Sequence, residues 1–274
     1  MQRQNRTFSL SILSGKGGVG KTNIALNLAY ALYQAGQNTL LVDCDLGLAN
    51  LDVMLGIAPE GSLHDILNHN AKVEDILFNL GKNGLDLIPA ASGVTDILDL
   101  DEDQQDNVVQ RLTKVMSKYN FLLLDLGAGI NQTVQSFAAM THHQVVVITP
   151  EPTSLTDGYA LIKVLYTQKK AKNFHILVNM VHSEQEGRLG FERIRAACEK
   201  FLELEVDFLG FVRQDDVVPE SVRMQKPFFQ TAANSNPARD VLNIAHRLIR
   251  IRNDSLERIV STPALRLEDL DGID

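Results

Sequence analysis

Apolar residues in this chain follow two rhythms that alternate almost to its end. Short continuous runs rich in Val, Ile, Leu and Phe predict strands at Phe8–Leu13, 39–42, Leu85–Ile88, 121–125, 145–149, 175–178 and 208–212. Runs of this kind, apolar at every position, are what a parallel sheet buries on both faces. Between them, three-to-four spacing predicts helices. One covers 23–35 and stops at Gly36; a second carries Val108, Val109, Leu112, Val115, Met116 and Tyr119. A third is capped by Thr153 or Ser154 and runs to Gln168, and a fourth opens at Asn236-Pro237 with apolar Val241, Leu242, Ile244, Ala245, Leu248 and Ile249 behind it. Ser62 caps a shorter helix over 62–67.

This alternation predicts an α/β fold, a single doubly wound, mostly parallel sheet flanked by helices. No Pro/Gly/Ser-rich linker or internal repeat divides the chain, so one domain is expected over 1–252, followed by a tail over 253–274 made acidic by Glu268, Asp269, Asp271 and Asp274.

Composition narrows the chemistry. A length of 274 residues with 45% hydrophobic content can bury a large core, and a net charge of −8 argues against a broad basic footprint for nucleic acid. Cys44 and Cys198 lie far apart with no C-x-x-C pair, which suits a reducing cytosol and weighs against an iron–sulfur cluster. The seven histidines show no metal-ligand spacing and are read as surface or core residues. No run reaches the roughly 20 apolar residues of a membrane span, and residues 1–6 carry no targeting signal.

The strongest chemical pattern is S14-GKGGVGKT-N23, which follows the first strand and opens the first helix. It fits G-x-x-x-x-G-K-[ST] over 15–22, and strand, loop, helix is the context that identifies a phosphate loop. Glycines let successive backbone N–H groups turn toward a polyphosphate, and the helix N-terminus adds partial positive charge. The nucleotide set is therefore Gly15, Lys16, Gly17, Gly18, Val19, Gly20, Lys21, Thr22 and Asn23, with Lys21 on the β/γ-phosphates and Thr22 on Mg²⁺. Asp125 closes an apolar strand in the manner of a Walker B carboxylate, which would hold Mg²⁺. Asp43 and Asp45 lie past the 39–42 strand, where open α/β sheets bind ligands; capping of the next turn is the alternative. Gly127 to Ile130 reads as a glycine-hinged switch segment. The acidic run Asp99 to Asp106 reads as a solvated face, and Glu151 either as a capped helix start or as a residue meeting a partner subunit.

KGGVGKT resembles the deviant Walker A box of the MinD/ParA ATPases, and DCDLGLANLDVMLG resembles their switch I segment. The resemblance implies a P-loop NTPase fold, ATP and Mg²⁺ as ligands, and a nucleotide-sandwich homodimer. Lys16 would then reach the partner's bound phosphates, Asp45 would orient the attacking water, Asp43 would help hold the Mg²⁺ shell, and Asn179 would pair with adenine. In many relatives a proline follows the last strand where this chain has Arg213, so the contact made there with the base stays open. Asp52 is a weaker candidate on the switch surface.

AASG at 90–93, the loop from Asp125 to Ile130, EPTSLTDGYALIK at 151–163 and VNMVHSEQEGR at 178–188 resemble the flagellar-number branch of that family, FlhG or FleN. That resemblance implies an ATP-dependent dimer restraining flagellar number or placement, with a FleQ-like transcription activator, the flagellar GTPase FlhF or flagellar switch proteins as partners. It implies a cytoplasmic protein recruited to the cell pole through partners. Two departures stand out. Only residues 1–7 precede the first strand, with no GTPase-stimulating motif, and the acidic tail would be repelled by an anionic bilayer, which argues against membrane contact. A division-site or DNA-partition ATPase, or an ATP-sensing binding module with little turnover, are the alternatives.

Overall fold

The computed structural model describes residues 6–45, 50–62, 65, 72–90 and 111–266. Its strands are β1 (Phe8–Leu13), β2 (Thr39–Cys44), β3 (Phe78–Asn79), β4 (Leu85–Ile88), β5 (Phe121–Leu126), β6 (His143–Ile148), β7 (Phe174–Val181) and β8 (Asp207–Arg213). They form one sheet in the order β3-β4-β2-β5-β1-β6-β7-β8, parallel throughout except for β3 against β4. Each predicted strand is present; 8–13 and 85–88 keep their bounds, 39–42, 121–125 and 208–212 gain one or two residues, 145–149 shifts to 143–148, and 175–178 lengthens by four. The helices are α1 (Lys21–Gln34), α2 (Leu51–Leu55), α3 (Gln132–Met140), α4 (Pro152–Lys169), α5 (Glu184–Leu202), α6 (Val217–Arg223), α7 (Phe228–Thr231), α8 (Asn236–Asp254) and α9 (Leu256–Val260), and residues 111–116 are helical as well.

Strand side chains alternate between two cores. On β5, Phe121 and Leu123 join the layer beneath α1 and α8, whereas Leu122 and Leu124 join the layer beneath α3, α4 and α5. Every residue of β1, β2 and β5 is buried, which explains their lack of polar alternation. The polar exceptions on β1 are bonded: Ser11 accepts from Thr141, and Ser9 meets His142.

Sequence periodicity did not announce α3 and α5. Helix α5 is strongly amphipathic and buries only Gly187, Gly190, Phe191, Ile194 and Cys198, so its apolar face is built partly of glycines that carry little hydrophobic signal. Gly187 is there for proximity, since an added Cβ would lie 2.8 Å from Phe211. The predicted helix over 62–67, Ser92-Gly93 and the acidic run 99–106 lie wholly or almost wholly outside the described residues. The segment after α8 docks on the body of the fold, with Ile259, Ala264 and Leu265 buried and the Arg266 N–H donating to Met140 O. No helix among the described residues is long and apolar enough to cross a membrane.

The strand order sets the site. β1 runs between β5 and β6, and the chain crosses from one side of β1 to the other between them. At such a switch point the loops at the carboxyl ends of the strands part and leave a crevice.

Candidate nucleotide site

The loop 14–20 leaves β1 and enters α1 with Gly18 at φ 81° and Gly20 at φ 82°, left-handed conformations that glycine adopts without steric cost. Gly15 is constrained differently: a Cβ there would lie 2.3 Å from the backbone of Asp157 in α4. Gly20 itself is the N-cap of α1, without a side-chain cap and with no acidic residue in the first turn. A Ser, Thr or Asp cap would stabilise such a helix by about 1 kcal/mol. Forgoing it leaves the first-turn N–H groups available to an anion.

Lys21 is 6% exposed, and its Nζ donates to Asp125 Oδ1 at 2.8 Å. Asp125 is wholly buried; burial pushes its pKa up, while Lys21 and Thr22 pull it down. We read it as ionised, because the ammonium is in direct contact. Its Oδ2 has no hydrogen-bond partner among the described residues. Asp43 stands beside Asp125 in the β2–β5 register. Its Oδ1 accepts from the Asp45 N–H at 3.0 Å and its Oδ2 from the Leu51 N–H at 3.3 Å, which shapes the turn out of β2. Burial raises Asp43 to about 7, and the negative charges of Asp125 and Asp45 act in the same direction. An orphaned carboxylate oxygen, a neighbouring carboxylate and the Thr22 hydroxyl make an all-oxygen donor set, which fits a hard divalent cation such as Mg²⁺.

Two switch elements converge on this edge. The Gly129 N–H donates to Ser14 O at 2.9 Å with φ 98°, tying the predicted switch II segment to the phosphate loop. Asp45 lies beside it: a Cβ placed on Gly127 would be 3.5 Å from Asp45 Oδ1. Asp52 stands apart on α2, its Oδ1 accepting from the Val53 N–H.

Asn179 and Arg213 line a cavity of about 340 Å³ next to Gly20 and Asn23, walled by Pro219 and Phe228. Asn179 gives its Nδ2 to Val19 O at 2.8 Å, which leaves its amide oxygen for a ligand. It is aimed there by an irregularity in β7–β8 pairing, where Met180 adopts φ 58°. Arg213 forms a fork to Asp240, with 2.8 Å from Nε and 2.6 Å from Nη2. Its guanidinium is therefore fixed at the cavity rim by a carboxylate 96% buried on α8. Sequence reasoning missed Asp240; the available sign was an acid set among Pro237, Ala238, Val241, Ile244 and Ala245 on the buried face of the 236–254 helix.

Lys16 behaves unlike Lys21. Its Nζ donates to Glu151 Oε2 at 2.7 Å and to Thr153 Oγ1 at 3.1 Å, both at the start of α4 in the same chain. The predicted site residues thus gather on one sheet edge, Lys16 at its exposed rim.

A sequence profile of the CobQ/CobB/MinD/ParA nucleotide binding domain matches residues 10–228. The chain belongs to this family. The antiactivator FleN of Pseudomonas aeruginosa is 37% identical over 226 residues, covering 82% of this chain and 80% of that protein. The flagellum site-determining protein YlxH of Helicobacter pylori is 33% identical over 256 residues, 93% of this chain and 86% of that one. Among solved structures, the septum site-determining protein MinD of Pyrococcus horikoshii with Mg-ADP matches with a TM-score of 0.72 at 26% identity, covering 89% of this chain and 97% of that chain. This chain is therefore a MinD/ParA-family ATPase.

Proposed function

We propose that this ATPase is an ATP-dependent dimerisation switch controlling flagellar number or placement. Identity to FleN and YlxH over most of the chain supports the flagellar reading, and the different fates of two lysines in one loop support the switch. Lys21 is committed to the buried centre; Lys16 sits at the surface on an exposed pair that a competing phosphate can displace. Surface pairs of this kind contribute about 0–1 kcal/mol, so releasing Lys16 toward a second chain costs little.

In the proposed cycle, Gly15 to Thr22 hold the triphosphate through backbone N–H groups and Lys21, while Thr22, Asp43 and Asp125 hold Mg²⁺, which neutralises phosphate charge. Asn179 meets the adenine edge, and Arg213 shapes the rim of the adenine cavity. Asp45 orients water in line with the γ-phosphate, and Lys16 of the opposing chain offsets charge that develops during transfer. Dimerisation thereby completes the site. The dimer acts in the cytoplasm on a flagellar transcription activator, a flagellar GTPase or a switch protein, which recruits it to the pole.

The deciding experiment is affinity capture from flagellated cells with the hydrolysis-deficient variant Asp45→Ala held in ATP, with Lys16→Ala as the dimer-deficient control. Flagellar proteins should be retained by the first and lost with the second. Capture of division or partition proteins alone would replace the flagellar reading, and unchanged ATP-dependent dimerisation in Lys16→Ala would remove the switch.

A further inference from the structure

The opposite end of the sheet, where β6 and β7 begin, holds a cavity of about 510 Å³ that has no part in the nucleotide site. Lys169, Lys170, Lys172, Arg258 and Arg266 line it, and no Asp or Glu does so among the described residues. The chain as a whole has 34 acidic residues against 26 Lys and Arg, so this wall runs against its composition. Part of the charge has a local explanation. Lys170 donates its Nζ to Thr167 O and caps the end of α4, where cations complement the helix dipole. Arg258 stands in the last turn of α9, the Arg266 N–H reaches Met140 O at the end of α3, and Lys172 lies on the loop after α4; none of these three side chains forms an ion pair among the described residues.

Behind the cations the cavity is polar and built. His142 accepts from the Ser9 N–H on Nδ1 at 3.1 Å, so its proton is on Nε2, which faces Thr262 Oγ1 at 3.0 Å. His143 Nδ1 and His175 Nε2 are 2.6 Å apart, and His175 Nδ1 lies 3.5 Å from Asp207 Oδ2. The Asp207 carboxylate favours the proton on His175 Nδ1, so His143 donates from Nδ1. Burial, with the charges of His175, His142 and Arg258 acting in the same direction, lowers His143 to about 3. Among the described residues the charged groups lining this cavity are all basic, and the Asp207 carboxylate stands behind them on the far side of His175.

We propose that this cavity is a second ligand site, for a small soluble compound bearing at least two negative charges as phosphate groups. Its volume falls in the ordinary range for small-molecule pockets of about 300–1,000 Å³. Arg258 and Arg266 supply planar donor forks suited to phosphate oxygens, and Lys172 a compact charge. A concave site of this size suits a small anion better than a duplex, which needs an extended basic face.

The test uses the full chain saturated with ADP, so that the phosphate loop is filled, and titrates inorganic pyrophosphate by calorimetry and by NMR of the histidine rings. One pyrophosphate should bind per chain, and the His143 ring should titrate at higher pH in its presence. Arg258→Gln and Arg266→Gln should each weaken binding about tenfold, the expected worth of a charge-assisted hydrogen bond. Both positions are exposed, so the fold should survive, and ADP affinity should stay within about twofold. Arg258→Lys should retain most of the binding. Absence of a second binding event, or binding indifferent to both substitutions, would overturn the proposal. So would attachment to vesicles containing anionic lipid without any binding of pyrophosphate, because the surface would then be a membrane contact.

Discussion

The two ends of one sheet present opposite electrostatic problems. At the carboxyl edge, Asp43, Asp45 and Asp125 lie beside the glycine loop, with one buried lysine among three acids. At the amino edge, five cations surround neutral histidines with no acid among the described lining residues. The first edge needs a cation and an anion together to be balanced; the second needs an anion alone. What separates them is backbone direction. Parallel strands send their following loops to one edge, where helix N-termini favour phosphate, and their preceding loops to the other, where helix C-termini recruit Lys and Arg. A single basic residue at a helix end, such as Lys170, is therefore ordinary at the amino edge; what is unusual is that Lys172, Arg258 and Arg266 from three separate segments meet around one cavity.

The largest effect is expected at Lys21. Replacing it by Met should abolish detectable ATP hydrolysis, measured by phosphate release. Removing one partner of a buried pair costs about 3–5 kcal/mol, so the nucleotide-free protein should also melt at lower temperature. A wild-type melting curve would mean that Asp125 is not held by the ammonium. Next in size, Asp45→Ala should reduce turnover by at least about 100-fold while leaving ATP affinity within a few-fold, because a water-orienting group acts mainly in the transition state. Equal losses in binding and turnover would instead assign Asp45 to ligand holding.

The amino edge should respond to acid. Burial lowers His142 to about 4 and His143 to about 3, with neighbouring positive charge assisting. A depressed folded pKa gives stability that is complete above the unfolded value near 6.5 and is lost as pH falls through the window from about 6.5 to 4. Each histidine contributes a slope of up to about 1.4 kcal/mol per pH unit there. Urea denaturation at several pH values should show it, and His142→Gln with His143→Gln should flatten the slope. The smallest expected effect is Glu151→Gln. Its pair with Lys16 is exposed, so stability should change by less than about 0.5 kcal/mol. ATP-dependent dimerisation, followed by light scattering, should persist or strengthen a few-fold; its loss would show that Glu151 serves the dimer and does not merely park the lysine.

The nucleotide edge was legible in sequence because its chemistry is local. The loop, its glycines and Lys21 occupy eight consecutive positions, and Asp43 and Asp125 each close a strand readable from a short apolar run. The two remaining partnerships bridge distant segments. Glu151 is 135 residues from Lys16, and Asp240 is 27 from Arg213. Neither pairing leaves a spacing rule in the sequence. The left-handed Met180 that aims Asn179 was equally invisible, since nothing about methionine favours that conformation.

The sequence alone therefore determined the strand and helix alternation, the phosphate loop and the edge on which ligands gather, because these follow from periodicity and from residues adjacent in the chain. Only the tertiary structure decided where the side chains with long reach go. It gave Lys16 to Glu151, fixed Arg213 on Asp240, and brought Lys172, Arg258 and Arg266 around one cavity. Burial and strand order set those meetings, and neither is a property of any single stretch of chain.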